Sequence, residues 1–207
     1  MPETSSVDAA IGRYLRQPDS ESARSLAATG EAGVRRLLSL RFGDAHEPFD
    51  NPIPDVSSRA AIDRWSSALS IVARAAPAAF TTGIAGRAIS LNLLAILGDV
   101  DDPRATTILC QYVSDEDWLS RYNAVSSLGR RNDAASRPCI ERALGDPNLV
   151  VRTEAIKAIS RWDAHRAASL YEELLDTEGL TPLLRSEAHA AIGDLRAGLP
   201  AREPWDR

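Results

Sequence analysis

Aliphatic residues return at three- and four-residue intervals along the chain, and the two-residue alternation of a half-buried strand is absent. The pattern therefore predicts helices. In the first 84 residues these run over positions 7–15, 21–28 and 32–40, then over a longer stretch, 56–75, with Ile62, Trp65, Leu69 and Val72 at helical spacing. Residues 77–84 begin a helix that pairs with another over 85–97. Further on, three stripes stand out: Ile108, Leu109 and Val113 within 103–113; Ile140, Ala143 and Leu144 within 134–144; Leu170, Leu174 and Leu175 within 164–175. Asp102-Pro103, Asp146-Pro147 and Thr181-Pro182 each put a capping side chain before a proline, which predicts helix starts.

Between these stripes the sequence copies itself. Residues 120–129, 151–160 and 184–193 each carry an Arg (121, 152, 185), an Ala three positions on (124, 155, 188) and then an aliphatic residue (Leu128, Ile159, Ile192). A Gly or Ser follows (Gly129, Ser160, Gly193). The arginines stand 31 and 33 positions apart, and a step of 31 back from Leu128-Gly129 reaches Leu97-Gly98, the close of a weaker copy that starts at Ser90. The unit is helix, short loop, helix. One such pair cannot bury its apolar stripe alone, whereas stacked pairs share a continuous core.

An Asp in the inter-helix loop, then Val/Leu-x-Arg-x-x-Ala and an aliphatic-Gly close, resembles the HEAT-like repeats over residues 85–197. Asp115 to Arg121 and Asp146 to Arg152 keep the same gap of six, while Asp176 to Arg185 is three longer. The resemblance implies an all-α, right-handed α-solenoid. Irregular capping helices would precede it over 1–84 and a tail would follow over 198–207, in one continuous structural domain. It also implies that the repeated Arg reaches a loop Asp of its own or a neighbouring unit. Asp115, Arg121, Asp146, Arg152 and Arg185 are therefore expected to form a structural ladder rather than a phosphate-binding stripe. The second helices would line the concave side. With the Ala and aliphatic positions buried, that leaves Asn123, Ser126 and Arg130, then Glu154, Lys157 and Arg161, then Glu187, Ala190 and Asp194 to face solvent.

Composition narrows the function. The 207 residues are 44% hydrophobic and 26% charged, as in ordinary globular proteins. Lys and Arg together number 24 against 29 Asp and Glu, giving a net charge of −5, and Lys157 is the only lysine. Such a chain gains little from releasing counterions off a phosphate backbone, which argues against nucleic acid. No apolar run reaches the length of a membrane span, and residues 1–10 lack the basic flank and apolar core of a signal peptide. Cys110 and Cys139 lie 29 apart, off the repeat of 31, and are expected to be reduced, buried thiols in a bacterial cytoplasm.

Candidate chemistry is sparse. His46, His165 and His189 show no metal-ligand spacing. His46-Glu47, beside Pro48, is a single pair, whereas HEAT-like di-iron hydroxylases use repeated His-Glu pairs. Residues 83–86 contain two glycines but no strand precedes them, so they do not form a phosphate loop. A proline-rich, acidic segment over 43–54 lies outside the repeat logic, and the tail over 198–207 is expected to be frayed and flexible, with Trp205 able to fold back on the last helix as the alternative. The reading is a non-catalytic protein–protein interaction module without cofactor or metal, with no nucleic-acid or membrane partner, as a monomer or weak oligomer. Its partner face would be Asn123, Arg130, Glu154, Lys157, Arg161 and Glu187, where mixed charge suits a protein or peptide. A narrower version is an immunity or inhibitor protein that neutralises a toxin. A bilin-lyase-like enzyme and a DNA-repair-type solenoid are the competing functions, the second disfavoured by the acidic charge.

Overall fold

A computed structural model describes residues 2–42 and 59–200; the 43–54 segment, His46 and Trp205 lie outside them. Among the described residues the chain is all helix and turn, with no strand. It divides into two compact units, residues 1–105 and 106–207, and the division falls within one helix.

The first unit holds α1 (Pro2–Arg16), α2 (Ser20–Ala27), α3 (Gly30–Phe42), α4 (Arg59–Ala75), α5 (Pro77–Ile84), α6 (Leu91–Leu97) and the first turn of α7 (Pro103–Tyr112). The apolar stripe of α4 is its centre, because Leu69, Val72 and Ala73 are buried on a helix that packs against α1, α2, α3, α5 and α6. Ile11, Leu26, Val34, Leu37, Phe80, Ile84 and Leu94 complete a core shielded from solvent. A charged pair enters that core. Asp8, 1% exposed, accepts two hydrogen bonds from the Arg36 guanidinium at 2.8 and 2.9 Å, which ties α1 to α3 without leaving the carboxylate unpaired. The helix expected over 85–97 starts only at Leu91. Residues 85–90 turn instead, and Gly86 sits at φ +72°, where a side chain would be strained.

In the second unit α7 continues, followed by α8 (Trp118–Arg131), α9 (Arg137–Ala143), α10 (Leu149–Ile159), α11 (Ala164–Leu175) and α12 (Pro182–Arg196). Helices α9 and α10 form one hairpin and α11 and α12 the next, with α10 packed against α8, α9, α11 and α12. The repeated Ala and aliphatic positions are the core: Ala124, Leu128, Ala155, Ile159 and Ala188 are all 0% exposed. Gly129 permits a close approach, since a Cβ there would lie 2.9 Å from the Cβ of Ala158. Two helix starts differ from expectation. Helix α9 begins at Arg137 rather than 134, because the Asp133 carboxylate draws Ser136 into a turn through its N–H (2.7 Å) and hydroxyl (2.6 Å). Helix α10 is capped by Asn148, which accepts the Val150 N–H at 2.9 Å, and Pro147 stays outside. Thr181 does cap α12, ahead of Pro182.

The cysteines depart from the sequence-based expectation. Cys110 on α7 and Cys139 on α9 form a disulfide, with Cα atoms 5.6 Å apart, and are not free thiols. Their offset from the repeat is what allows it. Identical positions on neighbouring parallel helices point the same way, whereas two residues turn a helix by about 200°, so the two side chains can face each other. The bond closes a loop of 29 residues, for which chain entropy predicts a stabilisation of about 3.5 kcal/mol. Cys139→Ser, or reductant applied to the native protein, is expected to lower the urea unfolding midpoint by an amount equivalent to ~2–4 kcal/mol. An unchanged midpoint in both would show that the bond constrains nothing.

Candidate functional site

The second helices and the loops before them carry the residues that could do something beyond packing, and ion pairs fix how these elements sit. Arg121, near the start of α8, reaches the loop before α10. Its Nε and Nη2 donate to the two oxygens of Asp146 at 2.6 and 2.9 Å, and its Nη1 donates to the carbonyls of Asp115 and Glu116, both at 3.0 Å. The side chains are 12% and 4% exposed. A planar fork suits this task, since one guanidinium satisfies a carboxylate and two carbonyls at once. Asp146 also accepts the Asn148 N–H at 2.8 Å. Burial works to raise its pKa, but Arg121 and the Asn148 N–H outweigh that and hold it below the ordinary value.

The next rung is different. Asp115 gives Arg121 its carbonyl, while its carboxylate accepts the Asp117 N–H. Arg152 makes no such pair. Its Nε is buried without a hydrogen-bond partner, and it acts on Asp146 only through space. The physical reason is the longer loop ahead of α12: Asp176, in the loop that corresponds to that of Asp146, lies outside the buried core, and Arg185 instead donates to the Leu175 carbonyl at 3.0 Å.

A second row of polar ties joins the helices at their other ends, and sequence reasoning missed it. In the first unit Asp102 accepts the Thr81 hydroxyl at 2.9 Å and Arg104 Nη2 at 2.7 Å. In the second, Asp133 accepts the Thr106 hydroxyl at 2.7 Å and Arg131 Nε at 3.2 Å. The signal was available: Asp102 and Asp133 are one repeat of 31 apart. Arg166 on α11 grips Glu141 on α9, with Nη2 to Oε2 at 2.6 Å, and Arg196 on α12 pairs with Glu172 on α11. These last two pairs are largely exposed and contribute little each. Arg137 lies over the Trp162 ring at 5.3 Å.

The expected partner face is only partly at the surface. Arg130 and Arg161 are exposed, while Asn123 is half-buried, with its Nδ2 donating to the Leu119 carbonyl at 2.8 Å, and Glu187 is also half-buried. Glu154 is 8% exposed and Asp194 7%, which corrects the expectation that both face solvent. Lys157 approaches Glu154 at 3.8 Å and is itself 12% exposed at its side chain. The cause is the position of α10, enclosed by four helices, so that its buried arc includes Val151, Glu154, Ala155, Ile156, Ala158 and Ile159. Of the six predicted residues, Glu154 and Lys157 come together, and Arg130, whose Nη2 donates to the Ser127 hydroxyl at 3.1 Å, and Arg161 are exposed charges. Among the described residues no three His, Cys, Asp or Glu side chains gather as a metal-ligating group. Nor is any helix there long and apolar enough to cross a membrane.

A sequence profile of HEAT repeats matches residues 87–160 and, overlapping them, 106–193. No curated protein matches the chain.

Two outcomes test the polar ties. Arg121→Lys is expected to cost about 1–3 kcal/mol, because an ammonium cannot serve the carboxylate and both carbonyls together. Asp146→Asn added to that variant should cost clearly less than it does alone; strict additivity in urea melts would contradict the pair. The second outcome concerns acid. The Arg104 guanidinium, working against burial and aided by its own N–H and the Thr81 hydroxyl, holds Asp102 at about 2, against 3.8 ordinarily. A lowered native pKa stabilises the fold above the unfolded value and loses that contribution as pH falls from about 4 to about 2. The unfolding midpoint should therefore drop across this window, and less steeply in Asp102→Asn; an equal slope in the variant would contradict the assignment.

Proposed function

From the premise that the chain belongs to the HEAT-repeat family, whose helical hairpins stack as an α-solenoid, we propose that it is a non-catalytic interaction module that binds one protein or peptide partner on the second-helix face of the repeats. HEAT repeats commonly serve as protein-interaction scaffolds. The observation that carries the reading is the exposure of Arg130 and Arg161 on a frame held by the Arg121–Asp146 fork. These arginines stand 31 apart, one in the last turn of α8 and one just beyond α10, and the two helices approach closely where Gly129 meets Ala158. Side chains presented by a rigid frame lose little freedom on binding. Glu154 and Lys157, paired and largely buried, serve as the floor of this face rather than as its contacts.

The paired cysteines bear on compartment. The cytoplasmic expectation drew in part on free thiols, and a structural disulfide is rare in most cytoplasms. The pairing favours an oxidising compartment or surroundings.

The test uses the full chain immobilised on resin, with extract of the source cells, and follows one retained protein by mass spectrometry. Arg130→Glu with Arg161→Glu should weaken retention of that protein at least tenfold, since like-charge contacts at a rigid face cost more than about 1.4 kcal/mol. Glu154→Gln should leave retention unchanged. Retention untouched by the double reversal would refute the face.

A further inference from the structure

The first unit contains a cavity that the interaction reading does not use. It measures about 560 Å3, within the ~300–1,000 Å3 of small-molecule sites, and it opens between α3, α4 and α6. Its walls are aliphatic: Leu40 from α3, Ile62 and Leu69 from α4, and Leu91 and Ile96 from α6, with Trp65 as the one aromatic surface. Ile62, 45% exposed, adds apolar surface that solvent reaches at this cavity. The polar groups that line the cavity are few. Asn92 Nδ2 donates to Ser66 Oγ at 2.9 Å, and the Ser90 hydroxyl caps no backbone N–H of α6.

Among the described residues, Arg41 is the charged residue that lines this cavity. Arg41, on the last turn of α3, is exposed, lies 6.0 Å from the Phe42 ring centroid and makes no ion pair among the described residues. Arg87 covers the same Phe42 ring at 4.5 Å, which adds a second positive group on that side. Aliphatic walls with a single ring do not suit a quaternary ammonium, which needs an aromatic cage. They suit an unbranched hydrocarbon, and a guanidinium at the edge selects a carboxylate for its other end, because the fork matches two oxygens.

We propose that this cavity binds a free, unbranched aliphatic carboxylate, with the chain among Leu40, Ile62, Leu69 and Ile96 and the carboxylate on Arg41. The site is formed by residues of the first unit alone, and the proposal stands whether or not the exposed charges on α8 and beyond α10 bind a protein.

The experiment titrates the full chain with octanoate, decanoate and dodecanoate below their micelle concentrations, by calorimetry and by tryptophan fluorescence. Decanol serves as the neutral counterpart and anionic phospholipid vesicles as the membrane counterpart. The expected result is one molecule per chain, with affinity rising about fourfold per methylene. Decanoate should bind at least fivefold more tightly than decanol. Arg41→Ala should remove that preference while sparing decanol, and Ile62→Asp, at an exposed position, should abolish binding of both with the helical spectrum unchanged. Absence of saturation at millimolar dodecanoate would overturn the proposal. So would binding that Ile62→Asp leaves intact, an acid preference that survives Arg41→Ala, or association with vesicles that free acid does not displace.

Discussion

The second unit depends on how closely α8 and α10 approach. At Gly129 there is room for a hydrogen and not for a methyl group, because Ala158 stands where the methyl would go. That contact sets the separation of two successive second helices, and the separation decides what else can be buried. Ala124, Leu128, Ala155 and Ile159 close on each other around it with no exposed surface. Small residues at the contact let two backbones come together, and the aliphatic residues around it supply the apolar area removed from water.

Polar groups fix the register of what hydrophobic contact alone would leave free to slide. Apolar burial is non-directional. The Arg121 fork is directional, because its N–H groups point at Asp146 and at two carbonyls of the preceding loop. The Asp102 and Asp133 clusters do the same at the opposite ends of their helices. Asp102 and Asp146, both buried, each accept from an arginine guanidinium and from a backbone N–H, which offsets the cost of enclosing their charge. Arg152 marks where the pattern lapses, since the lengthened loop before α12 keeps Asp176 out of its reach.

Much of this was legible in the amino-acid order. The Arg, Ala and aliphatic positions at 121, 124 and 128 and their later copies reveal both the helices and the buried stripe, because a repeat must present the same face to each neighbour. What stayed hidden depends on neighbours that periodicity does not count. Glu154 occupies a position that looks outward on a lone helix, yet α10 is enclosed on four sides and takes Glu154 in. The cysteine pair stayed hidden for a related reason: a repeat brings out equivalent positions, and facing side chains need the opposite, a rotation of about 200°. The start of α9 falls later than its apolar spacing suggests because Asp133 and Ser136 form a turn whose chemistry resembles a helix cap.

The most direct measurement of the central contact is a comparison of two glycines at one repeat position. Gly129 meets Ala158, whereas a Cβ at Gly193 on α12 would have no neighbour within 4 Å. Gly129→Ala should lower the free energy of unfolding by about 1–3 kcal/mol, through a forced separation of α8 and α10. Gly193→Ala should raise it by about 0.5–1 kcal/mol, through helix propensity alone. Stabilisation by both substitutions would contradict the account, because α8 and α10 would then not be packed at the distance on which the rest relies.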